Sequence, residues 1–275
     1  MKKGLTELVF IIDRSGSMGG LESDTIGGFN AMLKEQQAVE GEAVVTTVLF
    51  DDKYELLHDR IDIRAVSPLT EKNYTVGGNT ALLDALGKTI RKIRDVQEHT
   101  AENYRAEKVL FIIITDGEEN ASREYSAERI KARIEYQKQK YGWEFVFFGA
   151  NMDAVLEAEK LGISAEYAQN YRADASGTST AYSAISAIST AYRGAPSLGA
   201  IAIDNLKKAV SGAKGAADEL ADVLGDIVAV AEKNNGKIPD VNNIARQVLE
   251  DELKELEAQG GDVVRINELR DVLRL

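Results

Sequence analysis

Five side chains in three separate segments carry most of the oxygen chemistry of this sequence. Asp13, Ser15 and Ser17 stand on alternate residues in Asp13-Arg14-Ser15-Gly16-Ser17. Thr80 lies in the glycine-rich run Gly77-Gly78-Asn79-Thr80-Ala81-Leu82, and Asp116 in Thr115-Asp116-Gly117. Carboxylates and hydroxyls are hard oxygen donors, the type that suits Mg²⁺, Ca²⁺ or Mn²⁺ rather than zinc. Mg²⁺ takes six oxygens at about 2.0–2.1 Å and keeps some waters. In such a shell the serines and the threonine are neutral, and the two aspartates supply all of the protein's negative charge.

These residues need elements that bring them together. Leu8-Val9-Phe10-Ile11-Ile12 precedes Asp13, and Val109 to Ile114 precedes Thr115-Asp116. Continuous apolar runs of this kind read as parallel strands buried on both faces, and open α/β sheets carry their ligand sites at the carboxyl ends of such strands. Strands are expected over Glu7–Asp13, Val44–Phe50, Tyr54–Ile61, Lys108–Thr115 and Trp143–Gly149, with a last one near Ala165–Ala168. Helical spacing predicts helices over Leu21–Val39, from Leu82 through Ile93, and over Glu124–Tyr141, Met152–Leu161 and Ala175–Tyr192, with Gly142 as a C-cap. The polar Tyr54–Ile61 segment, joined to its predecessor by Asp51-Asp52-Lys53, reads as the antiparallel edge strand of a hairpin. The alternation gives an α/β fold: a doubly wound, mostly parallel sheet covered on both faces, with Asp13, Thr80 and Asp116 at one edge.

The D-x-S-x-S loop, the glycine-flanked threonine and the T-D-G turn, in that order, resemble the metal-ion-dependent adhesion site of the von Willebrand factor A family. The resemblance covers roughly residues 5 to 195. It implies that Ser15 and Ser17 bind the metal directly, that Asp13 and Asp116 contribute directly or through water, and that Thr80 joins in the ligand-binding state. It also implies a function: a sparsely charged shell leaves the cation electrophilic, and the family uses it to dock an Asp or Glu from a protein partner. The bland alternative is that Asp13 and Thr80 cap turns and helices and that Asp116-Gly117 is an ordinary turn.

Composition narrows the function classes. A net charge of −12 disfavours nucleic-acid and anionic-membrane binding. With no cysteine there is no disulfide framework and no thiolate chemistry. The first strand-like run starts about seven residues in and no run approaches a membrane span, so the expected location is cytoplasmic. Short intracellular bacterial members of the family suggest a partner among ATPase chaperones or stress-response components, by analogy alone.

Enzymatic readings find less support. A dehalogenase-type phosphatase reads D-x-D after its first strand, and Ser15 stands where its acid belongs. There is no G-x-x-x-x-G-K-[ST] loop. His58, on the edge strand, and His99, at a charged helix end, are expected to be solvated. Glu118 and Glu119 are candidates for a base toward a metal-bound water, or else exposed loop carboxylates. Arg14 either attracts an acidic partner or faces solvent. Tyr74 and Tyr104 are candidates for lining the metal face. The chain is therefore expected not to be an enzyme, the alternatives being a metal-assisted hydrolase at the same site or an assembly protein that oligomerises through its tail.

Arg193 to Gly199, with Gly194, Pro196 and Gly199, marks a domain boundary, giving a metal-binding domain over 1–198 and a helical extension over 199–275. Leu220, Leu224, Ile227 and Val228 form a helical stripe in the extension. A chain ending at residue 198 is predicted to melt cooperatively and keep its metal affinity. An insoluble product rescued by the tail in trans would show instead that the tail belongs to the core.

Overall fold

The computed structural model describes residues 1–199, of which Met1–Leu198 form one compact unit. The expected helical extension over 199–275 lies, but for Gly199, outside the described residues. The strands are β1 (Lys2–Asp13), β2 (Ala43–Phe50), β3 (Tyr54–Asp62), β4 (Ala106–Thr115), β5 (Glu144–Gly149) and β6 (Ala168–Asn170). The helices are α1 (Glu22–Ala38), α2 (Leu82–His99), α3 (Ala127–Tyr141), α4 (Ala154–Lys160) and α5 (Ala175–Gly194).

One six-stranded sheet runs β3-β2-β1-β4-β5-β6. Every pairing is parallel except β2–β3, so the edge hairpin and the doubly wound sheet are as the sequence led us to expect. The central strands pair in long register: Leu8 lies between Val45 and Leu110, and Ile12 between Leu49 and Ile114. From β1 the chain moves outward through α1 to β2. From β4, on the other side of β1, it moves outward in the opposite direction. The topological switch point is therefore between β1 and β4, whose carboxyl ends carry Asp13 and Asp116.

The pleat sends alternate side chains to opposite faces. Val9, Ile11, Phe111, Ile113 and Phe147 meet α2, α3 and α4 through residues such as Leu86, Ile90, Ile134 and Ala158. On the other face Phe10 meets Phe29 of α1 edge-on at 5.6 Å between ring centroids, and α1 packs on α5. Tyr182 of α5 lies directly over Gly28, where a Cβ would collide with its ring.

Several boundaries differ from expectation for local reasons. The last strand pairs from Phe147↔Ala168 onward, because Ala165–Tyr167 first make a 3₁₀ turn. Helix α3 starts at Ala127 rather than Glu124. The amides of Arg123, Glu124 and Tyr125 are taken by the Asp84 carboxylate of α2, and Ser126 becomes the N-cap. Gly142 ends α3 in the left-handed region at φ 65°, as expected of a C-cap. Arg193 is no linker residue. It lies in the last turn of α5, and its guanidinium donates to the carbonyls of Gln36 (2.6 Å), Val39 (3.0 Å) and Gly41 (3.0 Å) at the end of α1.

A buried ion pair sits under the edge hairpin. Between the pairs Val45↔Ile61 and Thr47↔His58 strand β3 carries one residue more than β2, and Arg60 in this bulge has φ 52°. Its Nε reaches past β2 to donate to Glu7 Oε1 at 3.0 Å, while Gln97 Nε2 donates to the other oxygen at 2.8 Å. Glu7 is fully buried in β1 and its pKa is raised, first by that burial and against the pull of Arg60. The same register shift, with a second between Thr47 and Val48, turns His58 inward. It is buried, hydrogen-bonded through Nδ1 to Thr47 Oγ1 at 3.0 Å, and held neutral by a pKa lowered by burial, not solvated as its edge position suggested.

Removing one partner of a buried pair strands the other charge. Arg60→Ala should cost about 3 kcal/mol in urea unfolding, toward the lower end because Arg60 keeps some contact with solvent. Glu7 has a folded pKa above its unfolded one, so its neutral form is the cheaper one to bury. The deficit should therefore shrink as pH falls toward the ordinary carboxyl range. A loss independent of pH would show that Arg60 acts by packing alone.

Candidate functional site

Strand β1 delivers Asp13 at its end, fully buried. Both carboxylate oxygens have donors: the Ser15 amide at 2.7 Å on Oδ1, and the Thr115 hydroxyl of β4 at 2.6 Å on Oδ2. The first bond is an Asx-type turn that starts the loop, and the second ties β1 to β4 where the sheet changes direction. Burial, more than any other cause, pushes the Asp13 pKa up to about 6, against the Thr115 and Ser15 hydrogen bonds that lower it. The Asp13 carbonyl accepts from the buried Tyr74 hydroxyl at 2.6 Å, which fixes the strand end from below.

The loop then turns over Gly16–Met18. Ser15 Oγ and Ser17 Oγ are 3.1 Å apart, and Ser17 Oγ donates to Asp116 Oδ1 at 2.6 Å. Asp116 is buried and its pKa is raised by that burial. Its Oδ2 is buried without a hydrogen-bond partner. Thr80 is also buried. A Cβ on Gly117 would stand 3.0 Å from Ser17 Oγ and 3.2 Å from Thr80 Oγ1, so both hydroxyls converge on one point beside the Asp116 turn. All five sequence-derived residues thus meet at the β1–β4 switch point, with Ser17 exposed and the other four buried.

The capping alternative holds for Asp13, which makes the Asx turn, but not for the hydroxyls. The N-cap positions of α1 and α2 are Leu21 and Ala81, neither with a side-chain cap, and Ser15 makes no side-chain cap at its 3₁₀ turn. The start of α2 is capped by other groups: the Leu83 amide donates to Glu119 Oε2 at 2.9 Å and the Asp84 amide to Ser122 Oγ at 3.0 Å. The hydroxyls of Ser15, Ser17 and Thr80 are left for the site itself.

The frame around the five residues came less easily from the sequence. Gly77 N donates to Arg14 O at 2.9 Å and Gly16 N to Gly78 O at 3.1 Å, which zips the first loop to the glycine run. Gly78 has φ 76°, which disfavours any side chain, and a Cβ there would displace the Asp52 carboxylate. The Asn120 side chain accepts from Thr80 N at 3.0 Å, and the amides of Asn120 and Ala121 donate back to Thr80 O at 3.0 and 3.2 Å. Arg14 follows neither of its two expected readings. It is buried, with Nε 3.2 Å from Asp51 Oδ2 and a second ion pair to Glu55, so its charge is spent on the β2–β3 hairpin. Tyr104 is exposed in a turn before β4, at the end of that strand away from Asp116. Thr115 alone had a visible signal, adjoining Asp116 at a buried strand end. Tyr74, a candidate for lining the metal face, is instead buried against the Asp13 carbonyl; neither its bond nor that of Asn120 had a sequence signal, because they span 61 and 40 residues.

The donor set fits a hard divalent cation. Two buried carboxylates, one oxygen of which lacks any partner, lie beside three hydroxyls. Among the described residues no group of three or more His, Cys, Asp or Glu could hold a metal, so hydroxyls must make up much of any shell here. Such a shell favours oxygen-seeking ions over those that prefer imidazole or thiolate.

No family model and no curated protein matches the chain. Solved structures do. A von Willebrand factor type A protein from Catenulispora acidiphila aligns with TM-score 0.48 at 16% identity, over 68% of this chain and 43% of that one. The manganese-loaded TRAP protein of Plasmodium vivax aligns with TM-score 0.48 at 20% identity, over 66% of this chain and 72% of that one. Proximal thread matrix protein 1 from the mussel byssus, with a zinc-occupied MIDAS motif, aligns with TM-score 0.47 at 15% identity, over 67% and 46%. The chain spans less than half the length of the Catenulispora and mussel chains.

Gly117 gives a direct test of the convergence. It has no positive φ, so alanine is tolerated by the backbone, but its methyl would press on Ser17 Oγ and Thr80 Oγ1. Gly117→Ala should keep the wild-type melting temperature within a few degrees and weaken Mn²⁺ binding on the order of tenfold or more in titration calorimetry. Unchanged Mn²⁺ affinity would show that the two hydroxyls do not act on a common ion.

Proposed function

We propose that this chain is a divalent-metal-dependent protein-binding module of the von Willebrand A kind, acting as an adaptor or scaffold and not as an enzyme. The observation that carries the reading is the unpartnered, buried Asp116 Oδ2 beside the converging hydroxyls of Ser15, Ser17 and Thr80. Left without a partner, such an oxygen costs about 1–3 kcal/mol or more. A hard cation, Mg²⁺ first with Ca²⁺ or Mn²⁺ as alternatives, would be held by Asp13, Ser15, Ser17, Thr80 and Asp116. When bound, it supplies an electrophilic position for a carboxylate oxygen from an Asp or Glu of the partner.

The chain's own residues do the rest. Asp13 and Thr115 lock the two strand ends together, so Ser15 and Ser17 are presented at a fixed spacing. Asn120 grips the backbone of Thr80 on both sides and holds its hydroxyl toward the site. Ser17, the exposed member, leaves the cradle open to a macromolecule. Arg14, neutralised by Asp51 and Glu55, neither repels a cation nor attracts an anion strongly.

The hydrolase reading has no positioned base among the described residues: Glu118 is exposed with no hydrogen bond to orient it. Glu119 spends both oxygens on the Leu83, Ala121 and Ser122 amides and the Ser122 hydroxyl. His58 is buried against Thr47, and His99 is bound to the Asp95 carbonyl at the far end of α2. Among the described residues no helix is long and apolar enough to cross a membrane. We place the module in the cytoplasm, with a protein partner such as an ATPase or a stress-response component, and with neither nucleic acid nor membrane as ligand.

Titration calorimetry decides the metal reading. The wild-type chain should bind one Mg²⁺ with modest affinity, and Asp13→Ala and Asp116→Asn should each lose on the order of tenfold or more. Equal affinity in wild type and Asp13→Ala would overturn it.

A further inference from the structure

Gly117 separates two features. One is the hydroxyl cradle of Ser17 and Thr80; the other is a cavity of about 170 Å³ between the first turn of α2, the end of β5 and α4. Leu83, Phe147, Met152 and Leu161 give it a mostly apolar wall, and Gly117 belongs to its lining. Pockets that hold cofactors or drug-sized ligands measure roughly 300–1,000 Å³. This one has room for a single side chain. A residue that fills it must therefore come attached to something larger.

The charge at its rim narrows what that is. Glu119 is consumed by backbone amides, and Lys160 is paired with Glu157 at 2.6 Å. Glu118 is exposed and makes no hydrogen bond or ion pair among the described residues; Lys160, which also feels its field, is bonded to Glu157 and shared with Asp153 as well, so the balance of charge at this rim is negative. The chain's net charge of −12 also repels a uniformly acidic partner.

We propose that the cavity beside Gly117 receives an aliphatic side chain of the partner, two residues from the carboxylate docked at the cradle, with a lysine or arginine two residues further on facing Glu118. This rests on the metal-dependent docking proposed above and names the partner's class: an extended segment combining one acidic, one aliphatic and one basic residue. In an extended chain, residues i and i+2 lie on the same side and advance about 3.3–3.6 Å per residue, enough to step over a single glycine. The aliphatic side chain gives affinity by leaving water, and the acid and base set the register.

A displayed peptide library with one fixed aspartate and randomised flanks, panned on the full chain in Mg²⁺ and eluted with EDTA, tests this. The eluted peptides should be enriched in Leu, Ile or Met two residues from the aspartate, and in Lys or Arg two residues beyond that. A synthetic peptide of that sequence should bind Ala127→Phe, which fills the cavity from the start of α3, about tenfold more weakly. A matching peptide with glycine for the aliphatic residue should bind both chains alike. Glu118→Lys, an exposed change, should lose the basic preference and keep the aliphatic one; it decides the matter if Ala127→Phe does not fold. Eluted peptides without aliphatic enrichment, or equal binding of the selected peptide to a folded Ala127→Phe, would overturn the proposal while leaving metal docking intact. If nothing elutes with EDTA and the chain gives no heat with Mg²⁺, the metal reading itself falls and takes this one with it.

Discussion

The bond between Asp13 and Thr115 is the constraint on which the site depends. It joins the ends of the two strands that flank the switch point, and it does so with a carboxylate that has no solvent of its own. One oxygen holds the neighbouring strand and the other holds the loop that carries the serines. Loss of either bond would free the spacing between the first loop and the Asp116 turn. In a twisted parallel sheet, adjacent strand ends splay, so a cross-strand tie at the rim does what ladder hydrogen bonds no longer do there. Asp13 is thus the frame of the site, tying β1 to β4 and anchoring the serine loop.

The electrostatics follow from that frame. Burial raises the pKa of both Asp13 and Asp116, which means that each anion is held at a cost. Thr115, Ser15 and Ser17 offset part of it by donating hydrogen bonds, yet Asp116 Oδ2 remains unsatisfied. Buried native carboxylates usually acquire a cation or a full set of donors. Arg14, the nearest cation in sequence, is directed instead to Asp51 and Glu55. Its pairing braces the hairpin and keeps a fixed positive charge away from the place where a mobile one would be held.

Much of this was legible in the sequence because it is local. Asp13, Ser15 and Ser17 lie within one turn, and the apolar runs before Asp13 and Asp116 announce buried parallel strands. The hairpin, the left-handed Gly142 and the doubly wound order follow from periodicity and turn chemistry. What was not legible is non-local or depends on extra residues in one strand of a pair. The β3 bulges turn His58 inward and send Arg60 toward Glu7, and no pattern of alternation shows a bulge in advance. The grip of Asn120 on Thr80, the Tyr74 bond under Asp13 and the Arg193 clamp on the end of α1 each join distant segments through a polar tip, where hydrophobic periodicity carries no information. Arg193 shows the hazard most clearly: a charged residue before glycine and proline looks like a linker, yet it ends the core.

These non-local polar contacts also explain how a site made largely of hydroxyls can be specific. Serine and threonine hydroxyls are weak, rotatable ligands, and in a loose loop they would satisfy themselves on nearby backbone. Here the backbone is already saturated. Glu119, Ser122 and Asp84 take the amides around the starts of α2 and α3, Asn120 and Ala121 take the Thr80 carbonyl, and Gly77 and Gly78 close the first loop. With those local partners removed, the Ser17 hydroxyl bonds Asp116, the Ser15 hydroxyl meets that of Ser17, and the Thr80 hydroxyl is left beside Gly117. Any selectivity of this cluster for a hard ion would therefore depend on the capping network around it as much as on the five residues that line it.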